Sequence, residues 1–63
     1  MYAVLYGADG RIEQRVNGGE AALKALASDQ DLSLLPISRE QHERPLEQTH
    51  IVRDGSLVEN GNG

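Results

Sequence analysis

The stretch THIVRDGSLVEN, residues 49–60, constrains this chain more than any other part of it. Asp54-Gly55, set between Arg53 and Ser56, is the dipeptide of a two-residue type I′ turn; both central positions need positive φ, and the twist of the turn matches that of paired strands. Such a short loop fixes the register: Arg53 opposes Ser56, Val52 opposes Leu57, Ile51 opposes Val58 and His50 opposes Glu59. Cross-strand partners share a face, so Val52 and Leu57 lie on one side while Ile51 and Val58 lie on the other. Both faces are apolar. An antiparallel hairpin at a surface ordinarily turns one polar face to water, so the question is what covers the second side.

The opening strand poses the same question, with Tyr2, Val4 and Tyr6 on one face and Ala3 and Leu5 on the other. The turn cluster Gly7-Ala8-Asp9-Gly10 follows, longer than two residues and therefore closed by Gly10 in a left-handed conformation. Beyond it the chain alternates, placing Ile12, Gln14 and Val16 on one side and Arg11, Glu13 and Arg15 on the other, the period of a half-exposed strand. Residues 2–16 thus read as a first hairpin.

Asn17-Gly18-Gly19-Glu20 has the form of a helix start, with Asn17 as N-cap and Glu20 reaching back to it. The spacing predicts a helix over about 19–28, with Ala22, Leu23 and Leu26 along one stripe and Glu20 and Lys24 as an i, i+4 ion pair outside it. Residues 32–37, LSLLPI, read as a middle strand that Pro36 confines to an edge. In the polar segment that follows, Ser38 and Gln41 stand at capping-box spacing and point to a short helix over about 39–44, ahead of Pro45, with an ordered charged loop as the alternative.

These elements define an α+β fold: a small antiparallel sheet built from two hairpins, about 2–16 and 49–59, and a middle strand, with one main helix. A single domain is expected over residues 1–60, and the NGNG composition of residues 60–63 predicts a flexible tail at 61–63. One short helix covers one face of such a sheet. The opposite face is then expected in part to meet another chain; Tyr2, Val4, Tyr6, Ile51, Val52, Leu57 and Val58 are the interface candidates, the sequence leaving open which hairpin pair faces the core, and Asp9, Gly10, Asp54 and Gly55 are structural turn residues. The alternative is that the two hairpins curl over each other and hide both apolar sets.

Composition narrows the function classes. A net charge of −4, with six basic residues scattered along the chain, opposes a phosphate-binding surface, so no nucleic-acid partner is expected. The absence of cysteine removes thiolate nucleophiles and sulfur-bound zinc. His42 and His50 fit no zinc spacing; a surface position is expected for His42 and a cross-strand pairing with Glu59 for His50. Glu40, Glu43 and Glu47 alternate with Arg39 and Arg44 as on a solvated face, and the glycines form no phosphate-binding fingerprint. No catalytic, cofactor or metal residues are assigned. The run MYAVLY is too short for a signal peptide or a membrane span, and the chain is expected to be soluble and made inside a cell.

The opening strand, turn and GRI, the Ala-rich helix and the closing THIVRDGSLV together resemble the small accessory proteins encoded among the tail and tail-fibre genes of tailed bacteriophages. Many of these end in a hairpin of the type Thr-His-x-Val-x-Asp-Gly-x-Leu-Val, and the likeness runs through residues 2–16 and 49–58, under half of the chain. The resemblance implies a non-enzymatic structural or assembly role in a virion, at the tail, baseplate or tail fibre. Its implied partners are larger phage tail proteins, further copies of the chain in a symmetric oligomer, or both. The competing expectation is a small acidic phage-encoded inhibitor or regulator that binds a host protein.

Overall fold

A computed structural model describes residues 1–60; the tail expected at 61–63 lies outside the described residues. The chain runs β1 (Tyr2–Tyr6), β2 (Ile12–Asn17), α1 (Glu20–Asp29), β3 (Ser33–Ile37), α2 (Arg39–His42), α3 (Leu46–Thr49), β4 (His50–Arg53) and β5 (Ser56–Glu59). The fold is α+β, and its strands form two antiparallel sheets rather than one: β2-β1-β3 and β4-β5. A single bridge, Arg11 to Ile51, links them among the described residues.

β1 is the central strand, and its inner residues Ala3, Val4 and Leu5 are wholly buried. A strand apolar on both faces is what a central strand covered on both sides requires. β2 and β3 flank it, both antiparallel to it, and α1 crosses between them. Pro36 sits on the edge strand β3, as a residue without an N–H must.

α1 covers the face of Ala3 and Leu5. It buries Leu23 and Ala27 and half-buries Leu26, while Ala22, expected on the apolar stripe, is exposed. A side-chain bond from Gln14 Nε2 to Gln30 Oε1, 2.8 Å, fastens the helix end to β2. The expected cap is corrected here: Asn17 is still the last residue of β2, so the N-cap is Gly19, with no side-chain bond, and Glu20 opens the helix instead of closing a capping box. At the other end Leu32 N–H donates to Ala27 O and Asp31 N–H to Ser28 O, a Schellman closure with Asp31 at φ 57°.

The opposite face of the sheet carries the main core, in which Val4 and Ile12 pack with Leu46 and Val52, bordered by Tyr6, Leu35, Ile37 and Leu57. Here the second hairpin and the short helices supply the cover, so this face does not stand open for another chain. The hairpins fold over each other, as in the alternative reading, and that closure hides Val4, Val52 and much of Leu57 but not the Ile51 and Val58 side.

Two local features make the closure possible. The register of β1 and β2 slips between Leu5 and Tyr6, which oppose Gln14 and Ile12, leaving Glu13 as the extra residue of a bulge. Ile12 therefore joins the Val4 face, and so does Arg15, opposite Val4; Gln14 and Val16 stay on the α1 face, so the expected grouping of Ile12 with Gln14 and Val16 is overturned. The second feature is Gly10, at φ 85°, whose carbonyl oxygen accepts from Val52 N–H at 2.8 Å.

α2 begins at the capping box expected from sequence, with Gln41 N–H donating to Ser38 Oγ at 3.1 Å and Ser38 N–H to Gln41 Oε1 at 2.9 Å. It stops at His42, and a further turn, α3, follows Pro45. α3 carries Leu46, which is 1 % exposed.

Candidate interaction surface

The second hairpin has the register expected from its Asp-Gly turn: His50 opposite Glu59, Ile51 opposite Val58, Val52 opposite Leu57 and Arg53 opposite Ser56. Asp54 at φ 52° and Gly55 at φ 76° are the two positive-φ centres of a type I′ turn. In the first hairpin Asp9 Oδ1 accepts from Arg11 N–H at 3.0 Å and Gly10 N–H donates to Gly7 O at 2.9 Å, a wider loop closed by the left-handed Gly10.

The seven interface candidates separate into three groups. Val4 and Val52 are internal, at 0 % and 6 % exposure, and are corrected to core residues: they reach a partner only if the hairpin leaves the sheet. Tyr2, Tyr6 and Leu57 are half-buried on the same inner side. Tyr6 and Leu57 border the core, and the Tyr2 ring stands 4.9 Å from the ring of His42. His42 is thereby half-buried rather than a plain surface residue.

Ile51 and Val58 alone point away from the core. Ile51 is half-buried, and Val58 is 39 % exposed, one of two large apolar side chains so exposed among the described residues. Bridge partners share a face as strand partners do, so Arg11, bridged to Ile51, belongs to this outer side, and so do Arg53 and Ser56, which alternate with Val52 and Leu57. The outer face is a short apolar row with arginines at its margin.

His50 and Glu59 oppose each other in the register, yet the polar neighbour of the His50 ring is Thr49, whose hydroxyl oxygen lies 2.7 Å from Nδ1. A more consequential polar link escaped the sequence reading. Arg15 Nη1 donates to the carbonyl oxygen of His42 at 2.7 Å, and its Nε is 3.1 Å from Glu47 Oε1, tying β2 to the end of α2 and to α3. Leu46 escaped notice as well. Apart from Pro45 it is the one apolar side chain in residues 38–50, and that isolation in a charged stretch is the signal from which an anchor could have been read.

Between the two turn tips lies an open cleft of about 380 Å³, formed by residues 8–10 and 51–55 with Tyr6. Its charged groups are Asp9, Arg53 and Asp54, and it contains no Ser or His to serve as nucleophile or base. Among the described residues no three His, Cys, Asp or Glu side chains gather as a metal-binding group, and no helix is long and apolar enough to cross a membrane. No protein-family model, curated protein or solved structure matches the chain.

Proposed function

We propose that this chain is a non-enzymatic structural or assembly protein of a bacteriophage particle, associated with its tail, baseplate or tail fibre, and that it acts by docking the outer face of its second hairpin on another protein. The observation that carries the docking is the Ile51 and Val58 pair, held outward by a two-residue turn while Val52 and Leu57 are drawn inward. Only 38 % of the residues are hydrophobic and the core is small, yet Val58 is left 39 % exposed beside the half-buried Ile51. The phage context rests on the likeness of residues 2–16 and 49–58 to tail-gene accessory proteins.

The partner is a larger tail protein or a further copy of the chain. A tagged chain recovered from phage-producing cells together with tail proteins, in assembled particles, supports this reading, and Val58→Asp is expected to abolish that recovery while the variant stays folded. Recovery with a soluble host protein instead of particle components would replace the structural role with that of an inhibitor.

A further inference from the structure

We infer that the outer hairpin face recognises an acidic, apolar segment of its partner, one in which carboxylates flank a branched aliphatic residue; the inference rests on the docking surface proposed above and gives its partner's chemistry. Three of the six basic side chains are satisfied within the chain: Arg15 by Glu47, Lys24 by Glu20 at 3.7 Å and Arg44 by Glu40 at 3.8 Å. Arg11, Arg39 and Arg53 have no ion pair among the described residues, and two of these three share the face of Ile51 and Val58. In a chain with ten acidic residues and a net charge of −4, this outward apolar pair is thus bordered by guanidinium groups that have no ion pair among the described residues.

The placement is specific. Arg11 stands directly across the bridge from Ile51, and Arg53 stands two residues along the same strand, so the two charges border the apolar pair on adjoining sides. Glu59 belongs to the opposite, inner side with His50. Asp9 and Asp54 sit in the two turns, where Asp9 is engaged by the Arg11 backbone N–H and not by its guanidinium. A guanidinium presents a planar fork of donors that matches a carboxylate, and such a pair gains strength where a neighbouring apolar contact excludes water. A second copy is a poor occupant, because an isologous contact through this face offers the two arginines only the same row, Ile51, Val58, Arg11, Arg53 and Ser56, which holds no carboxylate.

The test uses the whole chain and two hexapeptides, one alternating glutamate with valine and one alternating lysine with valine, followed by amide chemical-shift perturbation. The glutamate peptide is expected to shift Arg11, Ile51, Arg53 and Val58, to weaken steadily as salt rises from about 50 to about 300 mM, and to lose at least about tenfold in affinity in the double variant Arg11→Glu, Arg53→Glu. Arg39→Glu, the same kind of charge reversal at a single site on α2, is expected to leave binding as it was, whereas Arg11→Glu or Arg53→Glu alone weakens it. Equal shifts with the lysine peptide, perturbation elsewhere, an unaffected double variant, or concentration-dependent self-association through this face overturns the inference. The two readings fail separately: if Val58→Asp abolishes recovery with particles and the double arginine variant retains it, the docking surface stands and the acidic partner falls; if neither variant matters, the docking surface itself falls.

Discussion

The backbone N–H of Val52 donates to the carbonyl oxygen of Gly10 at 2.8 Å, and at the same point a Cβ on Gly10 would collide with the carbonyl oxygen of Val52. This one approach joins hairpins that are some forty residues apart in sequence. It seats Val52 beside Ile12 in the core and leaves Ile51, the next residue, facing outward. The outer face of the hairpin therefore depends on a glycine in the other hairpin.

Gly10 and Gly55 both have positive φ, 85° and 76°, but nothing lies within 4 Å of a Cβ built on Gly55. Gly55→Ala is expected to cost about 1–2 kcal/mol, the left-handed penalty alone. Gly10→Ala adds a collision with backbone, which cannot rotate away, and is expected to separate the hairpins or prevent folding. Urea unfolding of the two variants checks the contrast; equal losses would mean that the Gly10 approach relaxes freely.

Arg15 offers a second comparison. Its bond to the His42 carbonyl is part-buried, whereas its ion pair with Glu47 joins side chains that are 28 % and 33 % exposed. A charge-assisted bond to a carbonyl is worth about 1.5–3 kcal/mol and an ion pair near the surface about 0–1 kcal/mol. Glu47→Gln should therefore be nearly neutral while Arg15→Ala costs clearly more, and the ion-pair part alone should fade with salt. Denaturant midpoints at low and high salt measure both.

Leu46→Ala removes a fully buried side chain from the centre of the main core, beneath both Val4 and Val52. Truncations of this kind cost about 2–5 kcal/mol. A chain of 63 residues has only about 3–9 kcal/mol in total at usual values per residue. The variant is expected to show a substantial unfolded population at room temperature, seen as lost amide dispersion; a change below about 1 kcal/mol would show that α3 is not seated in the core.

How much of this was legible depended on whether the governing chemistry was local. The Asp54-Gly55 turn, the Ser38 and Gln41 capping box and the left-handed Gly10 are set by residues within a few positions of one another, and each took the predicted form. The pairing of Ile51 with Val58 and of Val52 with Leu57 followed from that turn alone, but not which pair faces outward, which the packing of Val52 against Val4, Ile12 and Leu46 decides. The bulge at Glu13 did not, because a register slip answers to the partner strand and the closing hairpin, and nothing in the alternation of residues 11–16 announces it. Asn17 failed as a cap for a related reason: pairing with Tyr2 keeps it in β2, and the helix waits until Glu20. Arg15 and Leu46 lay hidden in polar surroundings, where only tertiary contact separates a solvated charge from a clamp.

Asp31 holds a left-handed conformation at the Schellman closure of α1, a place glycine occupies without penalty. Asp31→Gly is expected to stabilise the chain by about 0.5–1 kcal/mol, net of the extra entropy that glycine brings to the unfolded chain. Thermal melting measures it. A fall in stability would indicate that the carboxylate contributes to the closure beyond its backbone.

Val52 and Val58 give the sharpest comparison, since they are the same residue type on opposite faces of one hairpin. Val52 is 6 % exposed and surrounded by Val4, Ile12 and Leu46, so Val52→Asp places a carboxylate among aliphatic groups and is expected to unfold the chain. Val58 is 39 % exposed and opposes Ile51 on the outer face, so Val58→Asp loses only part of a cross-strand apolar pair, about 1 kcal/mol or less. Circular dichroism of the pair should show one unfolded and one native spectrum. If Val58→Asp unfolds the chain as Val52→Asp does, the outer row is part of the core and cannot be a docking face. If it stays folded, every loss of partner binding it causes belongs to the surface.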